Sequence, residues 1–143
     1  MESNSKYQFK HPIPSQGKPV TELNWIAKED LLQAAEPQTG LRLVVWRGLK
    51  LIVRQMIGLD EMQDLVGKVV CGCWDGEEYR HEAMDFELRR AVILFFTNVE
   101  MPDEMEKQYE YLYGTDLYET AVQSISQSQI AAIREAVRMY LSK

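Results

Sequence analysis

The sequence has few of the features that crosslink a small protein or attach it to a membrane. Its 143 residues include only two cysteines, Cys71 and Cys73, which cannot build a framework of disulfide bridges. A chain of this length can bury roughly 68–70% of its unfolded surface, so it needs neither a disulfide nor a metal in order to fold. We therefore expect a globular protein of a reducing, cytoplasmic compartment.

Long apolar runs are absent as well. The longest one, Ala91–Phe96, is far shorter than the ~18 residues of a transmembrane candidate. The first ten residues contain no apolar segment, so we expect no signal peptide. The sequence therefore predicts a protein without a membrane partner.

Positive charge is in short supply, because 16 lysines and arginines stand against 22 acidic residues and the net charge is −6. Affinity for nucleic acid comes from lysine and arginine, so this balance disfavours a nucleic-acid partner. One local cluster of basic residues accompanies a predicted hairpin, where such charges more often serve as solvated strand edges. Its members are Arg42, Arg47, Lys50 and Arg54.

Catalytic motifs are missing too. The eight glycines are scattered, so there is no glycine-rich phosphate loop, and no Gly-x-Ser-x-Gly elbow is present. On a helix Cys71 and Cys73 would lie about 200° apart, so one thiol would face the core and the other would not. His81 and Asp85 have the i,i+4 spacing of a metal or acid–base pair, but a single histidine among acids is usually solvated. We predict no catalytic residue, cofactor or bound metal.

What the sequence does contain is a series of predicted strands and helices separated by turn and helix-end signals. Lys6–Ile13 and Pro19–Trp25 flank a Pro/Gly turn cluster and predict a first hairpin. Lys28–Glu36 predicts a short helix. It should end before Pro37, because proline disfavours helical backbone in the residue that precedes it. The break at residues 37–40 predicts a boundary between an extension, residues 1–40, and a main domain, residues 41–143. The alternative is a single domain spanning residues 6–143.

A second hairpin, formed by Leu41–Trp46 and Leu49–Arg54 around the turn Arg47-Gly48, is the clearest in the chain. Two sets of alternating residues each share a face: Leu41, Leu43 and Val45 on the first strand, and Leu49, Leu51 and Val53 on the second. We expect Trp46 on the face opposite Leu43 and Val45, beside Val44 and Ile52. If both faces are apolar, both should be covered, by helices or by another subunit.

From Leu59 onward, apolar residues recur every three or four positions, which predicts helices. Pro102 predicts the start of one helix and Gly114 its end. Thr115 or Asp116 predicts the cap of the next, and a Ser126-to-Gln129 capping box precedes the last. The predicted fold class is α+β, with N-terminal β-hairpins followed by a bundle of about four helices.

Tyrosines are concentrated near the middle of the helical region. Tyr109 and Tyr113 share a helix face that Tyr111 does not share, so we expect the pair to pack in the core with Leu112 and Tyr111 to face solvent or a partner. Tyrosine and tryptophan are enriched at protein interfaces. The candidate interface residues are Trp25, Trp46 and Tyr111.

Two segments carry a resemblance to proteins of tailed bacteriophages. Lys6–Ala34 resembles the opening of the tail assembly chaperones of Mu-like and P2-like phages, and Val45–Ile125 is similar to small uncharacterised proteins of phages and prophages of Gram-positive bacteria. The residues that carry the first resemblance are His11, Pro12, Ile13, Gly17, Lys18, Val20, Thr21, Glu22, Leu23, Asp30 and Leu31. Those that carry the second are Trp46, Gly48, Glu61, Met62, Thr97, Asn98, Tyr109, Leu112, Tyr113, Thr115, Asp116 and Tyr118.

The resemblance implies a non-enzymatic morphogenesis protein, acting in tail assembly as a chaperone of a tape-measure or tail-tube protein in the cytoplasm of the bacterial host. It also implies a homo-oligomer. One alternative is a structural component of the head–tail junction or tail that forms a ring and stays in the virion. Another is a small enzyme or metal-binding protein that uses His81 and the acids near it.

Overall fold

The computed structural model describes residues 25–143, and the chain divides into two compact units, residues 1–37 and 38–143. This division, between residues 37 and 38, lies within the break at residues 37–40, and the predicted extension of residues 1–40 stays a prediction. The predicted first hairpin lies outside the described residues. In the first unit, helix α1 spans Lys28–Ala34, close to the predicted short helix, and none of its side chains is buried.

The second unit begins with an antiparallel hairpin of β1, Leu41–Trp46, and β2, Leu49–Arg54. Both residues of the turn have a positive φ, 52° at Arg47 and 80° at Gly48. This is the backbone of a tight two-residue turn that matches the twist of the strands, and glycine adopts it without strain. The predicted second hairpin is therefore confirmed at both strands.

Five helices follow the hairpin, so the α+β class is confirmed. They are α2, Leu59–Gly72; α3, Met84–Phe96, preceded by a short 3₁₀ turn at His81–Ala83; α4, Met105–Gly114; α5, Leu117–Val122; and α6, Gln127–Leu141. None of the described helices combines the length and the apolarity needed to cross a bilayer.

Helix α3 lies at the centre of the second unit, in contact with α2, α4 and α5, while α2 also packs against α6. The hydrophobic periods of these helices bring their apolar stripes together, and β2 adds Leu51 and Val53. The largest fully buried side chains include Phe96, Leu65, Leu88, Ile93, Leu112 and Ile133. The core therefore lies between the helices and one face of the hairpin.

One predicted helix start differs from the structure, and one predicted cap is divided between two residues. Helix α4 begins at Met105 instead of Pro102, because the carbonyl of Pro102 accepts a hydrogen bond from the Gln108 side chain (2.6 Å) and does not enter the helical ladder. Of the two predicted caps of α5, the Thr115 hydroxyl accepts a hydrogen bond from the Leu117 N–H (3.2 Å), whereas the Asp116 carboxylate makes no cap and bonds to the hairpin.

The start of α6 follows only half of the predicted capping box. The Ser126 hydroxyl accepts a hydrogen bond from the backbone N–H of Gln129 (3.2 Å). The Gln129 side chain does not return to Ser126. Its Oε1 accepts from the Ile57 N–H (2.9 Å), and its Nε2 donates to the Ile57 carbonyl (2.8 Å). One buried amide thereby satisfies both backbone groups of a residue that lies between β2 and α2.

Candidate functional site

The hairpin has two faces of different character, and its register assigns residues to each. Leu43 pairs with Ile52, and Trp46 pairs with Leu49. Directly opposed residues point to the same side of a sheet, so Ile52 lies with Leu43 and not beside Trp46. The expectation for Ile52 was wrong because the two-residue turn fixes this register. Trp46 lies with Val44 on the inner face, as predicted.

The outer face of the hairpin carries the aliphatic residues Leu41, Leu43, Val45 and Ile52, together with Lys50 and Arg54, which pair with Val45 and Leu41. The exposed fractions of the four aliphatic residues are 69%, 62%, 72% and 37%. On the inner face, by contrast, Leu51 and Val53 are buried in the core. No helix of residues 38–143 covers the outer face. Cover by another subunit, the other option that the sequence left open, stays a prediction.

The outer edge of β2 is closed by residues that follow α3. The Asn98 side chain accepts from the Ile52 N–H (2.9 Å) and donates to the Lys50 carbonyl (3.1 Å). The backbone N–H of Asn98 donates to the Ile52 carbonyl (3.2 Å), and Thr97 forms an antiparallel bridge with Val53. Thr97 and Asn98 thus act as a very short third strand on this side.

The other edge of the hairpin, along β1, is open. The Gly40 carbonyl accepts from the Gln55 N–H (2.9 Å), so in an antiparallel ladder the even-numbered residues of β1 bond to β2. The backbone groups of Leu41, Leu43 and Val45 therefore point away from β2, and in residues 25–143 no strand pairs with them. This edge carries no proline or bulge, two of the devices that protect exposed strands, and its one charged residue is the exposed Arg42.

The turn of the hairpin is anchored to the start of α5. The indole N–H of Trp46 donates to the Asp116 carboxylate (2.8 Å), and Arg47 bonds to the same oxygen (3.4 Å). These contacts, the indole bond foremost, lower the pKa of Asp116. Trp46 is half-buried against the core, so the structure gives this candidate interface residue an internal partner.

The base of the hairpin is anchored to α2 and α3. Arg54 forms two hydrogen bonds of 2.7 Å with the Glu61 carboxylate and a third, of 3.3 Å, with the Phe95 carbonyl. The bonds from Arg54, followed by the bond from the Gly58 N–H, lower the pKa of Glu61 from 4.5 to about 2. Planar, bidentate pairing of this kind fixes orientation as well as charge.

The Glu61 pair predicts an acid-dependent part of the stability. Because the folded-state pKa of Glu61 lies below its ordinary value, the contribution is fully present above about pH 4.5 and is lost as the pH falls toward 2. We expect Glu61→Gln to be less stable than the wild type at neutral pH, and the difference to shrink through this window. Urea unfolding at a series of pH values measures it.

The matched control is Glu106→Gln on α4, which removes the same charge where the described residues provide no ion-pair partner. Its difference from the wild type should change little between pH 5 and pH 2 compared with that of Glu61→Gln. An equal pH dependence in both variants would contradict the assignment to the Arg54 pair.

The tyrosines of α4 lie differently from the prediction. Leu112 is fully buried, but Tyr109 and Tyr113 are exposed, so the expectation that this pair packs in the core is wrong. Their ring centroids are 4.7 Å apart, and both rings contact Phe86 of α3, the Tyr109 ring tilted at 6.0 Å and the Tyr113 ring stacked at 6.5 Å. Helix α4 buries one residue only, and the two tyrosines flank that contact.

Arg89 joins three helices beside this aromatic group. The sequence analysis did not predict these contacts of Arg89. Its guanidinium lies between the rings of Tyr113 and Tyr118, 4.4 and 4.6 Å from their centroids. It also bonds to Asp85 (3.0 Å) and to Glu119 (3.1 Å). The i,i+4 spacing of Asp85 and Arg89 was the available signal. The arrangement joins α3 to α4 and α5.

The candidate chemistry of His81 is not assembled. Asp85 bonds to Arg89 and accepts from the Tyr113 hydroxyl, while His81 is exposed. Burial, followed by the bond to Asp85, raises the pKa of Tyr113. No group of three or more potential metal ligands occurs among the residues that the structure describes.

The two cysteines lie as their spacing predicts. Cys71 is exposed and Cys73 is buried. Burial raises the pKa of Cys73, which makes it an inert core residue. Cys71 lies at the rim of an open apolar groove of about 450 Å³ between α2 and α6, lined by Met62, Val66, Val70, Tyr79 and Tyr140 among others.

The remaining candidate interface residues are accessible. Tyr111 is exposed on α4, and no hydrogen bond or ring contact joins it to Trp46 in the described part of the chain. Trp25, in the first unit, is also exposed. Interface roles for these three residues stay predictions. The outer face, whose residues were not among the predicted interface residues, brings four exposed aliphatic side chains together on the two strands of the hairpin.

No protein-family model, curated protein or solved structure matches this chain. A functional argument therefore starts from particular surfaces and not from the fold. Among those described above, the outer face and the β1 edge are distinguished because they combine exposed aliphatic side chains with unpaired backbone groups on an anchored element.

Proposed function

We propose that this chain is a non-enzymatic protein of phage or prophage morphogenesis that holds an aggregation-prone tail protein until assembly. The partner is a tape-measure or tail-tube protein in the cytoplasm of the bacterial host. The observation that carries the proposal is the uncovered outer face, Leu41, Leu43, Val45 and Ile52. The resemblance of Lys6–Ala34 to tail assembly chaperones supports this class of partner.

The outer face has the chemistry of a surface that holds apolar segments. Clustered exposed aliphatic side chains on a soluble domain mark interaction sites. Its position is fixed at both ends, by Trp46 with Asp116 and by Arg54 with Glu61, so binding does not have to order the hairpin first.

The size of the outer face fits reversible binding. Fully burying one leucine, isoleucine or valine side chain contributes roughly 1.5–3 kcal/mol. Four partly exposed side chains therefore supply several kcal/mol, from which the cost of association is subtracted. A chaperone has to release its partner at assembly, and a surface of this size favours release.

The ring-forming alternative has less support. A ring needs two different surfaces that complement each other on every copy. In the described residues the hairpin offers one open edge, because Asn98 closes the other. The hairpin therefore favours pairwise contacts over a ring.

The outer face can be tested with two matched lysine substitutions. Leu43 is 62% exposed on the outer face, and Met139 is 60% exposed on α6. We expect co-expressed wild-type chain to raise the soluble fraction of the tape-measure or tail-tube protein encoded beside it, and to co-purify with it. Leu43→Lys should lose both effects, and Met139→Lys should keep them. Retention of both effects by Leu43→Lys would show that the outer face is not the binding surface.

The neighbouring genes test the partner class separately. A tape-measure gene immediately downstream agrees with the proposal. A position among portal and capsid genes would instead favour the head–tail junction, and a location without any phage genes would contradict both.

A further inference from the structure

We infer that β1 pairs with β1 of a second copy of this chain, antiparallel about a two-fold axis, to form a four-stranded sheet. The inference starts from the backbone. Leu41, Leu43 and Val45 direct their N–H and C=O groups away from β2, and within residues 25–143 no strand meets them. An edge with unpaired N–H and C=O groups is a template for another strand.

The second copy is the occupant that leaves no edge open. Thr97 and Asn98 already close the far edge of β2. Pairing β1 with its own copy therefore gives a sheet whose two outer edges are both closed, and assembly stops at the dimer. A strand from an unrelated protein would leave its own far edge unpaired, so further strands could add to it.

The sequence of β1 is compatible with this symmetry. If Leu43 faces Leu43 of the copy, Leu41 faces Val45, so the outer face gains three aliphatic cross-strand pairs. Each hydrogen-bonded pair in an antiparallel ladder exchanges two bonds, so these three pairs form about six. Arg42 then lies opposite Val44, and no like charges are directly opposed.

The length of β1 sets the expected strength of the dimer. A six-residue strand is about 20 Å long, and one such edge buries less than the ~1,600 Å² of a standard stable interface. We therefore expect a dimer that dissociates on dilution, with a dissociation constant in the micromolar range.

Charge gives the dimer a distinctive dependence on salt. The hairpin carries four basic side chains and no acidic one. Arg47 and Arg54 are neutralised by Asp116 and Glu61, whereas Arg42 and Lys50 form no salt bridge within the described residues. Two hairpins therefore repel one another at long range, and salt should strengthen the dimer by screening this repulsion. An acidic foreign strand would show the opposite dependence.

Sedimentation velocity on the full chain, from about 1 to about 300 µM, tests the association. We expect monomer at the lower end and dimer at the upper end, with the transition at lower protein concentration in 0.5 M than in 0.05 M NaCl. A monomer throughout, a larger assembly, or a dimer weakened by salt would overturn the inference.

Opposite charges at the two-fold axis test the register. We expect Leu43→Lys and Leu43→Glu each to remain monomeric, because each would place like charges opposite one another. Mixing the two should restore a heterodimer, while Met139→Lys should dimerise like the wild type. Circular dichroism verifies that each variant is folded. Dimers of either single Leu43 variant, or failure of the mixture to associate, would overturn the register.

Disulfide trapping supplies a second measurement, in a Cys71→Ser background that removes the exposed native thiol. Across the axis the two Leu43 Cα atoms should lie about 5.5 Å apart, within the range that a disulfide spans. In the same register Val45 faces Leu41 of the copy, so the two Val45 residues lie four positions apart along the paired strands. Leu43→Cys should therefore crosslink on mild oxidation and Val45→Cys should not. Equal crosslinking of both would contradict the pairing.

The dimer and the proposed tail-protein binding can fail separately. A chain that stays monomeric but still keeps a tail protein soluble refutes the pairing of β1 and leaves the proposed function intact. A chain that dimerises but has no effect on tail proteins refutes the proposed function and leaves the pairing intact.

Discussion

Replacing Gln129 with leucine should lower the free energy of unfolding by about 2–4 kcal/mol. The Gln129 amide bonds to both the N–H and the carbonyl of Ile57, and both residues are buried. Leucine has a similar size but neither donates nor accepts, so it leaves two buried backbone groups without a partner. Each such group costs about 1–3 kcal/mol. Urea or thermal unfolding monitored by circular dichroism measures the difference.

Gln127→Leu is the matched control, because it makes the same substitution two residues earlier on α6. The Gln127 side chain donates to the carbonyls of Val122 and Ile125, but the residue is exposed. Water can replace its hydrogen bonds, so we expect a loss below about 1 kcal/mol. Equal losses in the two variants would show that burial of the Ile57 backbone groups is not what makes Gln129 important.

The Gln129 contact also shows what a sequence leaves out. Ser126 and Gln129 fit a capping box, which accounts for the serine but sends the glutamine side chain to the wrong partner. The actual partner, Ile57, lies 72 residues away along the chain. A local motif describes bonds within one helix end, whereas a long-range bond depends on how α6 is placed against the loop before α2.

Asn98 makes a second long-range contact that no local sequence motif predicts, and this contact lies at the candidate site. The open edge of β1 and the closed edge of β2 look alike in sequence, because both strands are alternating aliphatic segments of six residues. The difference comes from Asn98, 46 residues beyond Ile52, whose side chain occupies the β2 edge. The hairpin itself was predictable, since its turn and register are local. The exposure of its outer face was not, because it depends on which elements pack nearby.

Trp46 was correctly assigned to the face opposite Leu43 and Val45, because alternation alone decides the side on which a strand residue lies. Ile52 was misassigned because the register between the strands also matters, and the two-residue turn pairs it with Leu43. The arrangement of α4 was harder to predict, since three tyrosines and one leucine offer several apolar stripes on a single helix.

Leu112→Ala should lower the free energy of unfolding by about 2–5 kcal/mol, the usual cost of deleting a large side chain from a packed core. Leu112 is fully buried and is the only buried residue of α4. Its loss should therefore weaken the attachment of α4 to α3. Thermal or urea unfolding measures the loss of stability, and hydrogen exchange of the α4 amides reports whether this helix opens first.

Tyr109→Ala, on the same helix, is the control that tests the orientation of α4. Tyr109 is 55% exposed and contacts Tyr113 and Phe86 through ring packing only. Because most of its surface stays in water, its removal should cost about 1 kcal/mol or less. A loss as large as that of Leu112→Ala would mean that Tyr109 faces the core after all. Helix α4 would then be rotated relative to α3, and the ring contacts of Tyr109 and Tyr113 with Phe86 would be contradicted.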